Sequence, residues 1–296
     1  MRYSWSALAG VFLAAASAPA QQPTQAPPAA QPLQAAPAGA RPPQAAPAAA
    51  QPPQAAPAAT LDPARNPLDA HLLRWEKEMK AVQTLVVQCT RTEKNKTFQR
   101  TDVYTGEARY LKLPVGNTGQ VENLASLYMQ LKDNPNVFER FICTGTHLYQ
   151  FLPQQKEIRV YQLPPPRPGQ VADDSFLSFL FGMKAEEAKR RFDLQLVKED
   201  QWYIYVKVLP RLPSDKADFQ EARLVLNKEN FLPRQLWFQQ PNGDEVTWDM
   251  PRVQSGVPLD RKEFVAPQPP PGWRLVQQQA RAGAADIPPR VIRQNQ

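Results

Sequence analysis

Apolar residues recur at spacings of 4, 3, 4 and 3 through Leu68, Leu72, Trp75, Met79 and Val82. That is the period of one helix face, and behind Asn66-Pro67 it predicts an amphipathic helix of about four turns. From Thr84 the period changes to two: Leu85, Val87 and Cys89 alternate with Gln88, Thr90 and Thr92, which predicts a strand that turns over residues 93–96. Residues 97–105 and 108–113 read as two further strands around Gly106, ended by Pro114. Val121, Leu124, Tyr128 and Leu131 predict a second helix over 121–131, stopped by Pro135. Strands follow at 137–144, 148–152 and 157–163, with a turn at Gly145, until Pro164-Pro165-Pro166 breaks the sheet.

The segment SFLSFLFG is apolar nearly all round, through Phe176, Leu177, Phe179, Leu180 and Phe181. With Asp173 or Asp174 as N-cap and Gly182 as a stop it reads as a short helix that must be covered or lie over something apolar. Residues 185–191 form a charged helical turn or two, and five strands close the pattern at 192–198, 202–209, 219–227, 234–240 and 245–250. Asn242-Gly243 predicts a two-residue hairpin turn that sets Trp237 opposite Trp248. Two indoles on one face are either half of a core or a platform for a ligand.

Composition divides the chain. Arg2, an apolar run over 7–16 and the triplet Ala18-Pro19-Ala20 have the three zones of a cleavable export signal. The run is too short for a bilayer core, which takes about 20 residues. Three ten-residue blocks rich in Ala, Pro and Gln follow from Gln31, Arg41 and Gln51, and such a stretch cannot bury enough apolar surface to order itself. The expected organisation is a signal peptide over 1–20, a disordered tether over 21–66, one domain over 67–277 and a disordered tail over 278–296. Of the net charge of +7, only +3 falls between residues 61 and 277, with acids and bases interleaved, so no basic stripe for nucleic acid arises. Export makes a Cys89–Cys143 bridge a candidate. In a simple meander their strands are three apart, about 14 Å against a limit of ~7 Å, which favours two buried free thiols.

Little in the sequence carries chemistry. The two histidines, His71 and His147, have no carboxylate or second ligand at a defined spacing. Phosphate loops, nucleophile elbows, His-Glu-x-x-His and Cys-x-x-Cys motifs are absent. No catalytic residue, metal ligand or cofactor is therefore assigned, and a binding protein is expected in preference to an enzyme.

The order of elements, with FICTGTHLYQFLPQQKEIRVYQL and the run over 210–250 that carries Leu232-Pro233 and Gly243, resembles the periplasmic lipoprotein carriers of the LolA/LolB type. SFLSFLFGMKAEEAKRRF and LPRQLWFQQPNGDEVTWDM look closer still to an uncharacterised family of secreted planctomycete proteins. The carrier resemblance implies an α+β, mainly β fold: a curved antiparallel half-barrel sheet whose apolar concave face holds acyl chains under a helical lid. It implies a soluble protein of the periplasm or cell envelope that binds a lipid or an acylated lipoprotein. Phe176, Phe179, Leu180 and Phe181 would lie on the lid and Trp237 and Trp248 on the sheet. One departure is Lys112-Leu113-Pro114, where Leu113 stands in place of the arginine that holds the lid in true carriers. The alternative is an envelope scaffold or interaction module whose half-barrel is filled by its own side chains.

Overall fold

The chain is described by a computed structural model over residues 61–116, 120–163 and 184–278. The expected signal, most of the expected tether, the expected tail beyond residue 278 and the expected helix with Phe176, Phe179, Leu180 and Phe181 lie outside these residues. Helix α1 (Pro67–Ala81) starts where expected: the Asn66 side chain accepts the Leu68 N–H at 3.0 Å, and Pro67 follows the cap. The cap satisfies one orphan donor of the first turn while Pro67 removes another. Twelve strands follow among the described residues: β1 (Thr84–Asn95), β2 (Arg100–Val115), β3 (Gln120–Leu131), β4 (Asn134–Cys143), β5 (His147–Leu152), β6 (Glu157–Gln162), β7 (Phe192–Glu199), β8 (Tyr203–Pro210), β9 (Glu221–Asn227), β10 (Pro233–Gln239), β11 (Glu245–Ser255) and β12 (Arg274–Gln278). Two short helices, α2 (Ala185–Arg191) and α3 (Pro213–Asp218), flank β7 and β8.

All twelve strands join one open, curved sheet in the order β12-β6-β5-β4-β3-β2-β1-β11-β10-β9-β8-β7. Two meanders, β1 to β6 and β7 to β11, are therefore sewn together at the centre by the antiparallel pair β1–β11. Alternation gives each strand one inner residue for every outer one. The inner face carries the main core: Leu85, Val87 and Cys89 on β1, Leu127 and Met129 on β3, Val206 on β8, Leu224 on β9 and Leu236 on β10, with Leu72 and Trp75 of α1 packed against them.

Two sequence expectations fail here, one on a mistaken period and one on a glycine taken for a break. Residues 121–131 are strand β3 and not a helix. Val121, Leu124, Tyr128 and Leu131 satisfy helical spacing, but Ala125, Leu127, Met129 and Leu131 satisfy period two equally well, and pairing on both sides decides the matter. Likewise Gly106 is no turn: β2 runs straight through it, opposite Cys89 on one side and Met129 on the other. A side chain there would place its Cβ 1.9 Å from the Tyr128 carbonyl oxygen. The glycine marks a close approach of two backbones.

The outer face is crossed by a strap that the sequence pattern did not reveal. After β11 the chain passes back over the first meander and ends as β12, parallel to β6. Phe264 packs with Leu111 and Leu124, and Trp273 lies 6.0 Å from the Phe151 ring. Arg109 pairs with Glu263, Arg261 with Glu122 at 2.9 Å, and Arg274 with Glu157 at 3.0 Å. The second half of the chain thus clasps the first.

Candidate ligand-binding face

The inner face is bounded at one end by α1. His71 Nε2 lies 2.7 Å from Glu199 at the end of β7, the Arg74 guanidinium stacks 4.5 Å over the Phe231 ring, and Lys112 donates to the Lys80 carbonyl at the helix C-terminus. Asp69 of α1 accepts from Lys189 of α2 at 2.8 Å, and Glu76 accepts the Ala185 N–H at 2.9 Å. These contacts fasten α1 across one rim, its apolar stripe directed at the sheet.

Toward the opposite rim the apolar wall is interrupted by charge. Arg91 continues the inward alternation of Leu85, Val87 and Cys89 on β1, and its two terminal nitrogens reach the Glu139 carboxylate of β4 at 2.8 and 2.5 Å. Both side chains are almost wholly buried, at 7% and 6% exposure. The rings of Tyr104 and Trp248 flank the guanidinium, 4.5 and 5.2 Å from it. The Glu93 carboxylate approaches Arg91 Nε to 2.8 Å, out of line with the N–H, which is left without an acceptor. Burial raises the Glu93 carboxyl above its usual range; Arg91 opposes this, while Glu139 and Asp102 add to it.

This pair also spans the inner face. Arg91 and Glu139 stand on strands three apart, and on a flat sheet their Cα atoms would be about 14 Å from each other with side chains pointing the same way. An arginine and a glutamate side chain extended toward each other reach about that far, and the curve of the sheet shortens the span. Gly106, between them on β2, stands opposite Cys89 on one side and Met129 on the other, and beside it Cys89 Sγ meets Met129 Sδ at 3.4 Å.

The two tryptophans named from the sequence do not come together. The β10–β11 loop has one residue more than expected: Gln240 donates to the Asp244 carbonyl, Gly243 donates to the Gln240 carbonyl, and Gly243 alone in this loop has positive φ, +85°. A type I′ turn needs positive φ at Asn242 as well, whereas Pro241 favours a turn followed by a left-handed glycine. The register therefore shifts by one, pairing Leu236 with Trp248 and Trp237 with Thr247. Trp248 is a buried inner-face residue beside Arg91. Trp237 is on the outer face, its indole N–H directed to Glu245 and the Arg223 guanidinium 4.6 Å over its ring.

Leu113, at the position where carriers have an arginine, also points outward, into the Leu111, Leu124 and Phe264 cluster. A side chain there faces away from α1. Cys89 and Cys143 are free and buried, and burial pushes the Cys89 thiol up to about 12, which keeps it protonated and unreactive. His147 meets the Thr146 hydroxyl and the Tyr149 ring. Among the described residues no group of three or more His, Cys, Asp or Glu side chains could hold a metal ion, and no helix is long and apolar enough to cross a membrane.

No family description and no curated protein matches the chain. Among solved structures, an uncharacterised conserved protein from Thermus thermophilus aligns over 72% of this chain and all of its own, at 10% identity and a TM-score of 0.43. A putative outer membrane lipoprotein-sorting protein domain from Vibrio parahaemolyticus covers 65% of this chain and 95% of its own, at 11% and 0.33. A LolA superfamily protein from Nitrosomonas europaea covers 67% and 96%, at 13% and 0.30. At such scores and identities these are likenesses of chain path, and nothing of ligand or activity is carried over from them. The likeness to secreted planctomycete proteins finds no support in these comparisons.

Proposed function

We propose that this is an exported, non-catalytic protein that binds a lipid, or the acyl chains of a lipoprotein, against the concave inner face. The observation that carries the reading is the combination of curvature and composition: an inward-curling sheet lined by Leu85, Val87, Leu127, Met129, Leu148 and Leu236, with one charged cluster near a rim. A concave apolar wall binds alkyl chains without directional contacts, at roughly 0.8 kcal/mol per buried CH₂. In this reading residues 1–20 direct export, 21–66 tether the domain in the periplasm or envelope, and Phe176, Phe179, Leu180 and Phe181 cover the ligand.

Native mass spectrometry of the chain from residue 21 tests it. The expected spectrum carries a lipid adduct, or acquires one of about the mass of palmitate after incubation with that acid. The bare chain alone, before and after incubation, contradicts the proposal. A second reading, a scaffold whose half-barrel is filled by its own side chains, draws on the burial of Leu127 and Met129, which are 1% and 0% exposed. It predicts that bare spectrum.

A further inference from the structure

The inner wall is graded along its length. From α1 at one rim, the β1 side chains Leu85, Val87 and Cys89 lead to Arg91, six residues on, a track of about 20 Å at strand rise. One acyl chain fills about 15 Å, half of a ~30 Å bilayer core. The track thus has room for one acyl chain and ends at a guanidinium, flanked by two aromatic rings and held by Glu139.

The three charged groups there are unequal. Arg91 and Glu139 are closed off, whereas Glu93 retains 26% exposure and is the member nearest the open rim. Glu139 uses both terminal nitrogens of Arg91 with good geometry, and Glu93 leaves Nε–H unsatisfied. Two carboxylates therefore compete for one guanidinium, and the poorly aligned one is replaceable. Resting on the acyl-binding reading above, we propose that Arg91 is the head-group anchor of the ligand, which carries a single oxyanion on one alkyl chain, and that this oxyanion takes the place of Glu93 on Nε–H. The exchange substitutes one anion for another at the arginine, so charge there is conserved while Glu93 turns to solvent. The tail supplies the affinity, and the arginine supplies preference for an acid over a neutral lipid.

The test compares palmitate, hexadecyl phosphate and hexadecanol on the chain from residue 21, by titration calorimetry. In the wild type both acids bind more tightly than the alcohol. Glu93→Gln removes the competing charge and raises the ratio of palmitate to hexadecanol affinity about tenfold, the scale of one charged hydrogen bond. Arg91→Met combined with Glu139→Leu and Glu93→Gln, which leaves no charge of the cluster unpaired, brings that ratio close to one. A preference confined to hexadecyl phosphate assigns the anchor to phosphate heads, and one shared with palmitate assigns it to oxyanions in general. Binding of all three with a ratio unchanged in both variants overturns the anchor and leaves the acyl-binding reading intact. No binding of any of the three overturns both.

Discussion

Glu139→Ala is expected to lower the stability of the domain by about 3 kcal/mol, the low end of the cost of breaking a buried pair, because the misaligned Glu93 carboxylate stays beside the guanidinium. Arg91 is 7% exposed, too little for solvent to take over two hydrogen bonds that the protein makes at 2.8 and 2.5 Å. Loss of the pair also removes a side-chain link between β1 and β4. Arg91→Met with Glu139→Leu and Glu93→Gln restores most of the loss, since apolar replacement of a buried pair is neutral or stabilising by about 1–4 kcal/mol. Urea midpoints followed by circular dichroism separate the cases. A single Glu139→Ala variant as stable as wild type means that the pair is open to solvent.

Gly106→Ala is expected to cost about 3 kcal/mol or more, the top of the range for overfilled interiors. Its Cβ would stand 1.9 Å from the Tyr128 carbonyl oxygen and 2.7 Å from Met129 Sδ. The first obstacle is backbone and cannot rotate away, so β2 and β3 must part at the centre of their pairing. Thermal unfolding of the purified variant checks this, and a change below about 1 kcal/mol, typical of surface substitutions, contradicts the close approach of these strands.

Much of the architecture was legible in the chain. α1, β1 and β5 to β9 were found within a few residues because each has one unambiguous period and a local boundary signal such as Asn66-Pro67 or Gly145. The failures were local ambiguities settled by distant partners. Residues 121–131 fit two periods, and only pairing with β2 and β4 selects the strand. The β10–β11 register turned on a single residue: Pro241 before Asn242-Gly243 was the overlooked sign of a longer loop. That slip separated Trp237 from the inner face and kept Trp248 on it.

The candidate site was less legible than the fold. Arg91 could have been noticed as a charge continuing the inward alternation of 85, 87 and 89. Its partner could not, because Glu139 lies 48 positions away on a strand three removed, and only the sheet order sets the two on one face within reach. The strap was hidden likewise: Phe264 and Trp273 sit in Pro-rich sequence without strand or helix period, and their value comes from apolar pockets on the outer face.

The central claim is that an alkyl chain lies along the concave inner wall, and the Met129 methyl group reports on it directly. Met129 is at the centre of that wall, between Gly106 and Glu139. Because it has no exposed surface, only an alkyl chain that enters the wall and displaces its present neighbours reaches its methyl group. With methionine methyls labelled in ¹³C and unlabelled palmitate added, nuclear Overhauser contacts from the palmitate methylenes to the Met129 methyl are expected. Saturating palmitate that leaves the Met129 resonance unmoved and without such contacts contradicts the account.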